Sequence, residues 1–97
     1  MPMAESLGAA NADPAAVRLV VSDVINGILA ETSRATRVIA DDDALVATIG
    51  LDSLDLAVMT VRLEQQLGND PFRQGPRVVR TFGELVAVYE QSLRGET

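Results

Sequence analysis

Asp52-Ser53-Leu54-Asp55-Leu56-Ala57-Val58-Met59-Thr60-Val61-Arg62-Leu63-Glu64-Gln65-Gln66-Leu67-Gly68-Asn69 carries the signals for both ends of a helix. Asp52 or Ser53 suits the cap of a first turn, and Gly68-Asn69 suits the left-handed stop of a last one. Between them the helix has two apolar stripes. At about 100° per residue from Leu54, the residues Leu56, Met59, Leu63 and Leu67 fall between about 140° and 220°. Leu54, Ala57, Val58 and Val61 fall within about 60° of zero, on the opposite side. A helix in a small bundle buries one side well. The first stripe is therefore the expected core, and the second is an exposed patch rimmed by Asp55, Arg62 and Glu64, of the kind that marks a partner surface. On pattern alone, residues 31–52 or 69–80 could instead lie over the second stripe and make it ordinary core.

Outward from this helix, Asp13-Pro14 starts another, with a capping carboxylate and a proline at the first helical position. It runs to about Ala30, and Val17, Val20, Val21, Val24, Ile25, Ile28 and Leu29 keep helical spacing. Residues 31–52 form a long connection with three successive aspartates. Val38, Ile39, Leu45, Val46 and Ile49 within it need cover, so it should pack on the domain and include a helical turn around 43–48. A loop of this length in a small domain is usually functional. Residues 69–80 contain Pro71, Gly75 and Pro76 and allow at most a short helix. Thr81-Phe82-Gly83-Glu84 fits a capping box opening a last helix to about Leu93, with Phe82, Leu85, Val86, Tyr89 and Leu93 on one face. The expected architecture is all-α: a small antiparallel bundle of three main helices, with a short fourth allowed, spanning 13–94 after a disordered tail over 1–12.

Length and composition agree with one such domain. Ninety-seven residues with 47% apolar and 3% aromatic content make one small core of Val, Leu, Ile and Ala. There is no Cys and no His, and all eight cations are arginines. Disulfides, thiolate catalysis, Cys-ligated metals, the usual general base and a lysine Schiff base are thereby excluded. The net charge is −6. Residues 41–64 hold Asp41, Asp42, Asp43, Asp52, Asp55 and Glu64 against Arg62 alone, a net of −5. This sign does not suit nucleic acid or anionic lipid and favours basic protein partners. No stretch is long enough to span a bilayer and no secretory signal opens the chain, so a cytoplasmic monomer is expected.

Gly50-Leu51-Asp52-Ser53-Leu54-Asp55 places a serine hydroxyl at the start of the second helix. Unpaired N–H groups and the positive end of the helix dipole stabilise a phosphate attached there, so the position suits a phosphodiester. The plainer alternative is that Ser53 or Asp52 only caps the helix. Ser53 as an enzyme nucleophile fails, because no His or Lys can activate it. Asp41-Asp42-Asp43 lacks the spacing and central glycine of a calcium loop and reads as a solvated turn and helix cap. Arg73, Arg77 and Arg80 read as a solvated basic face, without the interleaved aromatics of a nucleic-acid binder.

With the long acidic connection and the Thr-capped last helix, that hexapeptide resembles the acyl carrier protein family and its peptidyl carrier relatives, over roughly residues 14–93. The resemblance implies that Ser53, the serine of an Asp-Ser-Leu motif, carries a covalent 4′-phosphopantetheine. A separate Mg-dependent phosphopantetheinyl transferase installs it from coenzyme A, with Asp52 the neighbour it reads. The protein is then no enzyme but a carrier, holding acyl or aminoacyl groups as thioesters and moving them between loading enzymes, synthases and transferases. Leu54, Asp55, Ala57, Val58 and Val61 become the partner-binding residues, and the acidic segment steers basic partners. Many fatty-acid-synthesis carriers have glutamates where this helix has Val58, Gln65 and Gln66, and they lack its Arg62. These departures are more similar to a stand-alone carrier of a specialised polyketide, fatty-acid-like or aminoacyl pathway, acting in trans. The rival is an unmodified helical adaptor that binds a protein partner through the same helix.

Overall fold

The computed structural model describes residues 14–95 apart from 74, 76 and 77. Three helices follow one another: α1 (Pro14–Glu31), α2 (Ser53–Leu67) and α3 (Phe82–Leu93). α1 packs against both of the others. Its stripe of Val17, Val21, Val24, Ile25, Ile28 and Leu29 is buried, as the spacing requires, and Val20 sits half-buried beside it. Met59, Leu63 and Leu67 of α2 and Phe82, Leu85, Val86 and Tyr89 of α3 complete the core, with Leu56 and Leu93 partly buried at its edge. Phe72 meets Tyr89 edge-on with ring centroids 6.0 Å apart, in the arrangement aromatic quadrupoles favour.

Each helix terminus that faces a connection is closed by its local sequence. α2 ends at Gly68, whose φ of 81° lets its N–H turn back to the Glu64 carbonyl at 2.8 Å. α3 opens on the expected capping box, Thr81 Oγ1 accepting from the Glu84 N–H and Glu84 from the Thr81 N–H. Residues 69–80 show no fourth helix among those described; a turn at 71–73 and irregular chain at 78–80 take its place, in keeping with the two prolines and one glycine of the segment. The expected cap Asp13, the tail 1–12 and Arg77 lie outside the described residues.

The connection between α1 and α2 packs on the bundle at three points. Leu45, Ile49 and Leu51 are buried, and the N–H groups of Thr48, Ile49 and Gly50 turn back to Ala44 and Val46, giving the helical turn the sequence suggested. An antiparallel bridge joins Ala44 to Thr81, so the start of α3 is tied to this loop. Val38 and Val46 did not find the cover expected for them and stay exposed.

Candidate functional site

The start of α2 is fixed by two carboxylates working reciprocally. Asp52, extended at φ −103° and ψ −177°, is the N-cap; its Oδ1 accepts the Asp55 N–H at 2.8 Å. Asp55 Oδ2 in turn accepts the Asp52 N–H at 3.0 Å. This is a capping box written with aspartates. Ser53 is therefore the first helical residue rather than the cap, and it is exposed. Its N–H and that of Leu54 occupy the positions for which a helix has no internal acceptor. Gly50, three residues earlier, turns the chain at φ 90°, a conformation that favours glycine. The buried Leu51 then anchors the chain just before the cap.

Asp55, expected on the rim of the outer patch, is instead only 6% exposed. The cap pulls its carboxylate back over the first turn, where Arg34 Nη2 meets it at 2.8 Å. The Asp52 N–H, then the Arg34 guanidinium, hold its carboxyl below the ordinary 3.8 against the desolvation that raises it. Arg34 also donates through Nη1 to the Gly50 carbonyl at 2.7 Å and through Nε to Thr32 Oγ1 at 2.9 Å. The Thr32 hydroxyl donates to Ile28 at the end of α1. A continuous hydrogen-bonded chain thus runs from the end of α1 to both flanks of Ser53.

The outer stripe of α2 stays uncovered. Leu54 is 71% and Val61 55% exposed, Ala57 is exposed, and Val58 is half-buried against the core. Leu54, Ala57 and Val61 are left exposed by the described residues of the 31–52 connection and the 69–80 segment, which favours the partner-surface alternative over ordinary core, with Val58 partly joined to the core. Arg62, at the edge of this surface, is held by a two-pronged contact to Glu31 at 2.7 and 2.8 Å.

The acidic segment is less bare than its sequence suggests. Arg18 pairs with Asp41 while lying 5.7 Å over the Phe82 ring, Arg37 with Asp43, Arg34 with Asp55 and Arg73 with Glu64. Asp43 Oδ2 also accepts the Ala40 N–H, so the aspartate run is a fastened turn. Of the six acids counted between 41 and 64, only Asp42 and the cap Asp52 lack an arginine among the described residues. Apolar recesses of about 170 and 250 Å³ beside α2 share Leu45, Leu56 and Val79, a feature without a sequence signal. Arg34 and the burial of Asp55 were also missed. Asp55 could have been found from its place three residues after an Asp cap; Arg34, across a long connection, carries no such mark.

A family model for the phosphopantetheine attachment site matches residues 22–70. No curated protein and no solved structure matches the chain.

Proposed function

The chain belongs to the phosphopantetheine attachment site family, whose members carry 4′-phosphopantetheine covalently on a serine, and we propose that here the serine is Ser53. The matched stretch contains Ser22, Ser33 and Ser53. Ser22 lies half-buried inside α1 and Ser33, though exposed, just beyond its C-terminal end, whereas Ser53 is exposed at a helix N-terminus. That placement carries the assignment. The residues fit the group: the hydroxyl is reachable, free N–H groups and the helix dipole favour an attached phosphodiester, and a side chain built at Gly50 would meet nothing within 4 Å. When bound, the group supplies the thiol on which acyl groups are held as thioesters. Ser53 contributes the hydroxyl oxygen that bonds to the pantetheine-side phosphorus of coenzyme A. The bond from that phosphorus to the bridging oxygen breaks, adenosine 3′,5′-bisphosphate leaves with the electron pair, and the hydroxyl proton passes to a base of the transferase.

On this reading the protein is a carrier over residues 13–94 that docks its enzymes through Leu54, Ala57, Val58 and Val61. The uncharged outer face of α2 supports a specialised polyketide, fatty-acid-like or aminoacyl pathway. The recesses beside Leu56, one turn from Ser53, give an apolar cargo room against the bundle. No helix among the described residues is long and apolar enough to cross a membrane.

The test is an intact mass after incubation with coenzyme A, Mg²⁺ and a promiscuous phosphopantetheinyl transferase, alongside Ser53→Ala. One phosphopantetheine gained by the wild type alone supports the assignment. Gain by both proteins moves the site to another serine. No gain by a folded wild type, with a control carrier modified, leaves the adaptor.

A further inference from the structure

We infer that Arg34 is a positioning residue for group transfer to Ser53, an inference that rests on Ser53 being the attachment site. Three observations converge on it. Its guanidinium spends separate N–H groups on the Gly50 carbonyl at 2.7 Å and the Asp55 carboxylate at 2.8 Å, which are the two ends of the segment that presents Ser53. Its third contact, to Thr32 Oγ1, ties that segment to the end of α1, the helix on which the other two pack. The Arg34 side chain is one-third exposed and its Asp55 partner 8%, so the pair is sheltered from screening.

The planar fork is what the arrangement needs. Gly50 sits in a left-handed conformation with only its own turn to hold it, and Asp55 is the residue on which the α2 cap depends. An ammonium could meet the carbonyl or the carboxylate well, but not both with a third bond to Thr32. The hydrogen bonds of Arg34 go to Thr32, Gly50 and Asp55, none of them a residue of the apolar docking face. Its effect should therefore fall on the placement of the Ser53 oxygen at the moment of attack and not on encounter with the transferase. Misplacing a nucleophile by a fraction of its reach lowers the rate of the bound complex while leaving affinity alone.

The experiment measures kcat and KM of a phosphopantetheinyl transferase on wild type, Arg34→Gln, Arg34→Lys and Arg37→Gln, below the unfolding range of each. Arg37 is the matched control: it also fastens this connection, to Thr48 and Asp43, but touches neither end of the segment around Ser53. Arg34→Gln is expected to lose about tenfold in kcat with KM within about twofold. Arg34→Lys should fall between it and the wild type, and Arg37→Gln should keep its kcat. Amide exchange at residues 51–56 should quicken in Arg34→Gln and not in Arg37→Gln. If Arg34→Gln fails to fold, Arg34→Lys decides, and a wild-type kcat in it overturns the inference. So does a wild-type kcat in Arg34→Gln, a loss confined to KM, or an equal kcat loss in Arg37→Gln. A wild type that is never modified, or a Ser53→Ala that is, overturns the attachment site itself and is told apart by that pattern.

Discussion

Replacing Asp52 separates its observed role as the cap of α2 from the proposed one of being read by the transferase. In Asp52→Ala the Asp55 N–H loses its acceptor at 2.8 Å, while the second half of the box survives because the Asp52 backbone N–H still reaches Asp55 Oδ2. Asp55 also keeps Arg34, so no buried charge is orphaned. The cost is that of one exposed N-cap, about 1 kcal/mol. For a domain of this size that lowers Tm by roughly 4–8 °C. Asp52→Asn keeps an acceptor of equal capping strength and should stay within a few tenths of a kcal/mol of wild type. Thermal and urea unfolding followed by far-UV circular dichroism measure both, with an unchanged urea slope confirming that only stability moved. The transferase should nonetheless modify Asp52→Asn more slowly than wild type, because the cap is restored and the charge is not. An Asp52→Ala variant that loses nothing, or more than about 3 kcal/mol, refutes the capping account. An Asp52→Asn variant modified at the wild-type rate refutes the reading of the carboxylate.

Acidification should loosen the starts of α2 and α3. Asp55 and Glu84 are both held below their ordinary values by backbone N–H donors, so the stability they add is complete above those values, near 4, and fades as pH falls through the lower folded ones; an acid titration of unfolding free energy that is flat below pH 4 contradicts this. Tyr89 is buried with a hydroxyl that finds no partner among the described residues, and burial pushes its ionisation up. Tyr89→Phe should therefore match the wild type or gain up to about 1 kcal/mol, and a loss of that size in urea unfolding would reveal a missed hydrogen bond. On the outer face of α2, Val61→Asp should raise transferase KM by at least about tenfold with little change in Tm, since Val61 is 55% exposed. Raising salt from about 50 to about 500 mM should change wild-type KM by less than about threefold, because four of the segment's acids already face arginines.

The helices were legible because each carries its own signals. Two apolar stripes on α2, an unbroken β-branched stripe on α1 and a Thr–Glu box before α3 are local patterns, and local patterns survive folding when packing agrees with them. Ser53 stood out for the same reason, as a hydroxyl at a helix start. What escaped the sequence was non-local. Asp55 looked like a rim charge by its helical angle, yet the cap turned it inward onto an arginine that follows α1. The count of acids between 41 and 64 suggested a bare negative field, yet arginines from outside that stretch fold back onto most of it. Charge counts along a chain measure composition, and only the fold decides which charges reach the solvent unpaired.

That pairing also gives three of the eight arginines, Arg18, Arg34 and Arg37, a task that lysine would perform less well. The chain has few aromatics, no disulfide and a connection of about twenty residues to hold in place. Arg18 stacks on Phe82 while gripping Asp41, Arg34 joins Gly50 to Asp55, and Arg37 joins Thr48 to Asp43. Each fastens the connection at more than one atom, which a guanidinium fork does and an ammonium does poorly. With Arg34, Arg62 and Arg73 paired to Asp55, Glu31 and Glu64, the flanks of the apolar outer face of α2 are nearly neutral. On the proposed reading, a partner docking there would recognise shape and apolar area before charge, and Ser53 stands at the end of that face where Arg34 fastens the connection.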